Sequence, residues 1–361
     1  MTAVLGAAPA GSRSGRSGVP ARSGVVARVR AGRRARLRRE RTVTLCAVGL
    51  VLVLALVGLG LGDYPLSLQD AWAVLTGQGS HLDRTILLDL RLPRAALAVV
   101  VGVAFALAGG IFQTVFANPL ASPDLLGVTG GASVAAVWAL LVLGATGPVV
   151  GLAAFAGAAL VAGGLLALTR GRDLSGQRFV LTGVGVAFMA SGAVGYLLSR
   201  AQVQAAQTAL VWTAGSLGAA RWSEVALVAG ALVVAVPALL ATSGSLRALQ
   251  LGPLAATGLG VRVERTRSGL LAVAVVLVAG ATAVVGPVGF VALCAPPLAR
   301  RLVRTGSPAL PAVAAVGAAL VLTADLVAQH ALPGVNLPTG VVTGAVGAPY
   351  LLWLLARGVR S

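Results

Sequence analysis

No lysine occurs among the 361 residues, so all 28 basic side chains are arginines. A phosphate-cradling loop of the pattern G-x-x-x-x-G-K-[ST] is therefore excluded. If ATP drives this protein, another chain hydrolyses it. Acidic residues number only 10, and charged residues make up 11% of the chain. A soluble domain of this length needs far more charge to solvate its surface. The two histidines, His81 and His330, stand far apart and join no metal-like spacing, so no metal site is expected. The two cysteines, Cys46 and Cys294, both fall in apolar stretches and read as small buried hydrophobes, not as a disulfide framework. No Ser–His–Asp or Cys–His arrangement can be drawn, which argues against an intramembrane enzyme. No bound cofactor is expected.

What is present is apolar. Hydrophobic residues make up 57% of the chain and the mean hydropathy is +0.93. They fall in runs long enough to cross a bilayer core of about 30 Å. Ten spans are expected, near 43–62, 95–116, 125–145, 148–169, 179–199, 223–242, 268–286, 287–303, 310–329 and 338–356. The fold class is thus all-α, a polytopic transmembrane helix bundle. Gly286-Pro287 alone divides the seventh run from the eighth. The 48 glycines suit closely packed membrane helices.

The arginines encode topology. Eleven lie before the first run: Arg13, Arg16, Arg22, Arg28, Arg30, Arg33, Arg34, Arg36, Arg38, Arg39 and Arg41. With this end inside, the inner loops and tail carry Arg170, Arg172, Arg178, Arg247, Arg262, Arg265, Arg267, Arg300, Arg301, Arg304, Arg357 and Arg360. The outer loops carry only Arg84, Arg91, Arg94, Arg200 and Arg221. This asymmetry obeys the positive-inside rule and supports an even span count with both termini cytoplasmic. A net charge of +18 invites a nucleic-acid reading, but the placement of the charge argues against it. Residues 1–42, rich in Gly, Ser, Ala and Arg, read as a disordered cytoplasmic tail and not as a cleaved signal peptide; the tail could also touch anionic lipid. Residues 43–357 form the membrane domain.

The longest outer segments, 63–94 and 200–222, are amphipathic, with Trp72, Trp212 and Trp222 suited to the interface. The inner loop 243–267 reads as two short helices split by Gly252-Pro253 and Gly258–Gly260, a candidate docking surface. Asp325 is the one acidic residue well inside a run. It serves either translocation or helix packing through a polar partner.

Two stretches stand out. The first runs Arg91-Leu92-Pro93-Arg94, a glycine-rich span with Gln113, then Asn118-Pro119-Leu120-Ala121-Ser122-Pro123, Leu125-Leu126-Gly127 and Gly130-Gly131-Ala132. Pro93 places two fixed charges at a helix start, and Asn118-Pro119 with Pro123 makes a tight inner turn. The second comprises Gly286-Pro287-Val288-Gly289-Phe290-Val291, Ala324-Asp325-Leu326-Val327-Ala328, Leu337-Pro338-Thr339-Gly340 and Gly347-Ala348-Pro349. Between them stand Trp212-x-x-Gly215-Ser216 and Leu251-Gly252, Ala256, Leu259-Gly260-Val261. At these residues the chain resembles the FecCD-like family of ABC permeases, importers of iron–siderophores, haem and vitamin B12, over about residues 43–357.

The resemblance implies a permease subunit of a binding-protein-dependent importer, with ferric siderophore as cargo. It implies an extracytoplasmic substrate-binding protein docking on Arg91 and Arg94, and an ABC ATPase dimer, the user of ATP, on Leu251, Gly252, Ala256, Leu259, Gly260 and Val261. A second permease subunit, identical or a sibling, completes the pathway. Gln113, Asn118, Pro119 and Asp325 are assigned to translocation or packing. Three positions depart from the family: Pro297 replaces a histidine, Gln329 an arginine (with His330 beside it) and Asn336 a glutamate. These departures leave open a degenerate partner subunit of a heterodimer, and Asp325 leaves open an ion-coupled secondary carrier.

Overall fold

The computed structural model describes residues 22–62, 64–168, 177–332 and 334–358. Among them the chain is helical, in the order α1 (Arg22–Gly60), α2 (Leu68–Leu75), α3 (His81–Arg84), a π-helical stretch (Thr85–Arg91) running into α4 (Leu92–Val115), α5 (Val128–Leu141), α6 (Pro148–Leu168), α7 (Gln177–Ser199), α8 (Val203–Ala214), α9 (Trp222–Leu249), α10 (Pro253–Gly258), α11 (Val263–Val285), α12 (Val291–Val303), α13 (Leu310–His330) and α14 (Thr339–Gly358). Two compact units are separable, Met1–Arg39 and Glu40–Ser361. In the first, the backbone is helical from Arg22, where composition predicts disorder. Arginine and alanine are strong helix formers, and no proline interrupts them. Residues 1–21 of the expected tail lie outside the described residues, as do Arg170, Arg172 and Arg360.

The second unit is the bundle. Each of the ten expected segments holds a helix. Seven helical stretches, counting His81–Val115 as one, are long and apolar enough to cross a bilayer. The seventh and eighth segments are separate helices, divided at Gly286–Phe290. Two expected spans, 125–145 and 287–303, are only partly helical: α5 has 14 residues and α12 has 13. Such helices rise only about 20 Å. Irregular backbone precedes each of them, set by Pro119 and Pro123 in one case and by Gly286-Pro287 in the other. Non-helical backbone at membrane depth survives only where protein or a cavity surrounds it.

The loop at 243–267 also differs from expectation. α9 continues to Leu249, α10 is the only short helix there, and α11 begins at Val263. No proline stands between Ser243 and Leu249, and the helix runs through the single glycine there, Gly244, ending just before Gly252-Pro253.

α4 is the axis of the bundle. It packs against α9, α11, α12 and α13, and it is buried almost continuously from Val101 to Val115. A helix apolar on every side belongs in such a place. Its approach to α13 depends on Gly102, where an added methyl would lie 2.5 Å from the Gly317 carbonyl oxygen. Gly317 meets the Gly102 carbonyl in the same way. The bundle's outer faces carry exposed Leu52, Leu56, Leu152, Leu160, Phe188, Met189, Val233 and Val234. Against water this would be an aggregation surface; against lipid tails, which are as apolar as leucine, it is solvated.

Candidate functional site

At the end of the bundle that carries α8, α4 begins with the two arginines of the first motif. Arg94 donates to Asp325 through Nε to Oδ2 at 2.9 Å and through Nη2 to Oδ1 at 3.0 Å. The Thr339 hydroxyl, on the first turn of α14, donates to Oδ1 at 2.8 Å. Gln329 Nε2, one turn along α13, donates to Oδ2 at 2.8 Å. Four hydrogen bonds thus meet on a carboxylate only 1% exposed, and they tie α4, α13 and α14 together. A buried ion pair is tolerable when its lone pairs are filled in this way. Of the two readings open for Asp325, the geometry supports the packing lock.

Arg91 donates to the Leu59 and Tyr64 carbonyl oxygens, each at 2.6 Å, and so ties the end of α1 to the start of α4. Both arginines expected to face a docking partner are therefore bonded within the chain. The departures also find a place. Gln329 serves Asp325 as a neutral donor, and His330 Nδ1 lies 2.9 Å from the Leu326 carbonyl of its own helix. Pro297 is buried in α12, and Asn336 is exposed.

Deeper in the bundle, the irregular segments cross. Gly340 N–H donates to the Gly215 carbonyl at 3.0 Å, and Ser216 N–H to the Val285 carbonyl at 2.8 Å. Gly286 and Gly215 adopt φ of 75° and 74°, which favours glycine, and a methyl on Gly340 would collide with the Ala214 carbonyl. Beside this crossing is a cavity of about 410 Å³, lined in part by Asp124, Thr129, Thr213 and Phe290. Asp124 faces Thr129 and the Phe290 backbone. Sequence reasoning passed over Asp124, which adjoins Pro123 in what reads as a plain turn.

At the opposite end, Gln113 donates through Nε2 to the Leu293 carbonyl at 3.0 Å and accepts from Arg300 at Oε1. Asn118 Oδ1 accepts from Leu120 N–H at 2.9 Å and closes the turn around Pro119. α10 stands here as an apolar knob. Leu251 and Leu259 are each 65% exposed and Leu254 is 90% exposed, while Ala256 is fully buried beneath them. Gly252 and Gly260, at φ of 91° and 80°, turn the chain into and out of α10, and Val261 follows. Leu254, the most exposed of these, was not singled out from sequence; its signal was a leucine placed directly after a helix-starting proline.

The chain matches the FecCD transport family over residues 50–357. It is 39% identical to the achromobactin transport system permease protein of Dickeya dadantii over 333 residues, which are 91% of this chain and 95% of that one. It is 36% identical to the Fe(3+)-citrate import system permease protein of Bacillus subtilis, covering 90% of this chain and 97% of that one. Among solved structures, an inward-facing metal-chelate-type ABC transporter superposes with a TM-score of 0.78 at 25% identity, covering 88% of this chain and 99% of that chain. The bundle and its motifs define a membrane transport subunit. The chain belongs to the FecCD transport family. It is a permease subunit of an ABC transport system, and the ATPase is a separate chain.

Proposed function

We propose that this protein is the membrane-spanning permease of a binding-protein-dependent importer of ferric siderophore, working with a second permease subunit and an ATPase dimer that binds and hydrolyses ATP. The permease reading follows from family membership; the cargo follows from relatives whose names specify achromobactin and ferric citrate. The observation that carries the coupling is α10, whose leucines are exposed at the end where a water-soluble partner would bind. Exposed apolar groups of this kind mark docking surfaces. The arginine asymmetry supports a cytoplasmic position for this end and for both termini.

In this reading a binding protein delivers the chelate at the α8 end, and Arg91 and Arg94 act there by shaping the surface. ATP binding to the partner moves α10 and, with it, α9 and α11; the far end of α11, at Val285, accepts the Ser216 N–H at the glycine crossing. A two-state opening driven by differential partner contacts follows. The ion-coupled alternative needs an ionisable group free to exchange its ion, whereas Asp325 is filled by Arg94, Thr339 and Gln329.

The test is uptake of a labelled ferric siderophore into proteoliposomes holding this chain, its ATPase and its binding protein. Uptake that requires ATP and all three components is expected. Uptake without ATP would overturn the reading in favour of a secondary carrier.

A further inference from the structure

We infer that the cleft between the ends of α4, α9 and α12 is a binding site for a polycarboxylate anion, and that it holds a carboxylate-bearing chelate as it leaves on the cytoplasmic side. The inference rests on the importer reading and names its substrate class. The cleft encloses about 950 Å³ and is lined by Gln113, Asn118, Gln250, Arg300, Arg301 and Arg304, among others. This is the size of a small-molecule site. Its polar lining is guanidinium, amide and hydroxyl, with no carboxylate. Among the described residues, no acid pairs with Arg300, Arg301 or Arg304. Guanidinium groups match carboxylates in shape and bind them with paired hydrogen bonds.

The bland explanation is that these arginines mark an inner loop and complement the end of α12. It accounts for their sign but not for their setting. The last-turn carbonyls of α12 already accept the backbone N–H groups of Arg304 and Thr305. Arg300 is anchored by the buried amide of Gln113, which itself is held by Leu293. The Arg301 guanidinium carbon sits over the Trp353 ring, 4.7 Å from its centroid. Two of the four non-glycine residues with positive φ, Ala117 at 48° and Arg304 at 53°, line this one cleft. Strained backbone of this kind collects at functional sites. Here it sets the walls of the cleft, and among the described residues no side chain pairs with the Arg304 guanidinium.

The probe is radiolabelled citrate, a tricarboxylate, measured by equilibrium dialysis against the purified full-length permease in neutral detergent, with ferric citrate as a second ligand. One saturable site per chain is expected. Arg304→Glu should weaken it about tenfold or more, Arg304→Lys should retain part of the affinity, and Arg84→Glu at the far end should leave it unchanged. Size-exclusion profiles check that each variant is folded. The proposal is overturned if wild type shows no saturable binding, or if folded Arg304→Glu binds as wild type does. It is also overturned if phosphatidylglycerol displaces citrate at low mole fraction, which assigns the cleft to lipid. If citrate does not bind and Arg304→Glu abolishes capture of the ATPase, the cleft is a protein-docking surface and the proposal again fails. None of these outcomes touches ATP-dependent uptake, which tests the importer reading separately.

Discussion

The two ends of the bundle treat their polar and apolar groups in opposite ways. At the α8 end, the charges are consumed internally: Arg94, Gln329 and Thr339 fill Asp325, and Arg91 is bonded to the Leu59 and Tyr64 carbonyls. At the α10 end, leucines and arginines are left over. Leu254 is 90% exposed, and among the described residues no acid pairs with Arg304. The same residue types therefore do different work at the two ends. A filled network holds helices in register, whereas unfilled groups are free to meet a partner. Cutting the first should cost stability; cutting the second should cost activity.

The largest effect belongs to the filled end. Asp325→Ala strands the Arg94 guanidinium in a mostly buried place and should cost about 3–5 kcal/mol. Thermal unfolding in detergent would read this as a large drop, and Asp325→Leu combined with Arg94→Leu should lose less than Asp325→Ala alone. A single variant as stable as wild type would remove the distinction between the ends. A far smaller effect is expected at the rim. The Tyr64 hydroxyl donates to Asp83 Oδ1 at 3.0 Å, and this bond, with the charge of Asp83, holds the phenol above its ordinary value. Because the folded value is raised, this stabilisation is complete below the ordinary phenol range and disappears as pH rises through the folded value. Asp83→Asn should make the Tyr64 phenol ionise earlier, read as the difference between the ultraviolet titrations of wild type and variant. An unchanged curve would show that the bond does not form.

Much of this was legible before any coordinates. Apolar runs of bilayer length identify helices because an α-helix satisfies its own backbone groups in lipid, and each of the ten segments holds a helix. The glycine and proline motifs marked the crossing at Gly215, Gly286 and Gly340. What sequence could not supply was pairing across distance. Arg94 and Asp325 are separated by 231 residues, so Arg94 reads as an outward charge until its acceptor is seen. Asp325 likewise reads as an ion site or a lock with equal ease. The short helices α5 and α12 were read as full spans because hydropathy is blind to a proline or glycine that turns apolar backbone away from the helix. Leu254 escaped notice because exposure, not identity, sets it apart. The basic face of the cleft was visible as a charge count, but its recess depends on the left-handed turns at Ala117 and Arg304, which have no sequence signature.

The contrast between the ends is tested most directly by ATPase stimulation in nanodiscs with Leu254→Asp. The side chain is exposed, so the unfolding free energy should stay within about 0.5 kcal/mol of wild type. Stimulation of the partner ATPase by loaded binding protein should be lost. If stimulation survives while stability falls, α10 is a structural element, and the unfilled end is not the coupling surface.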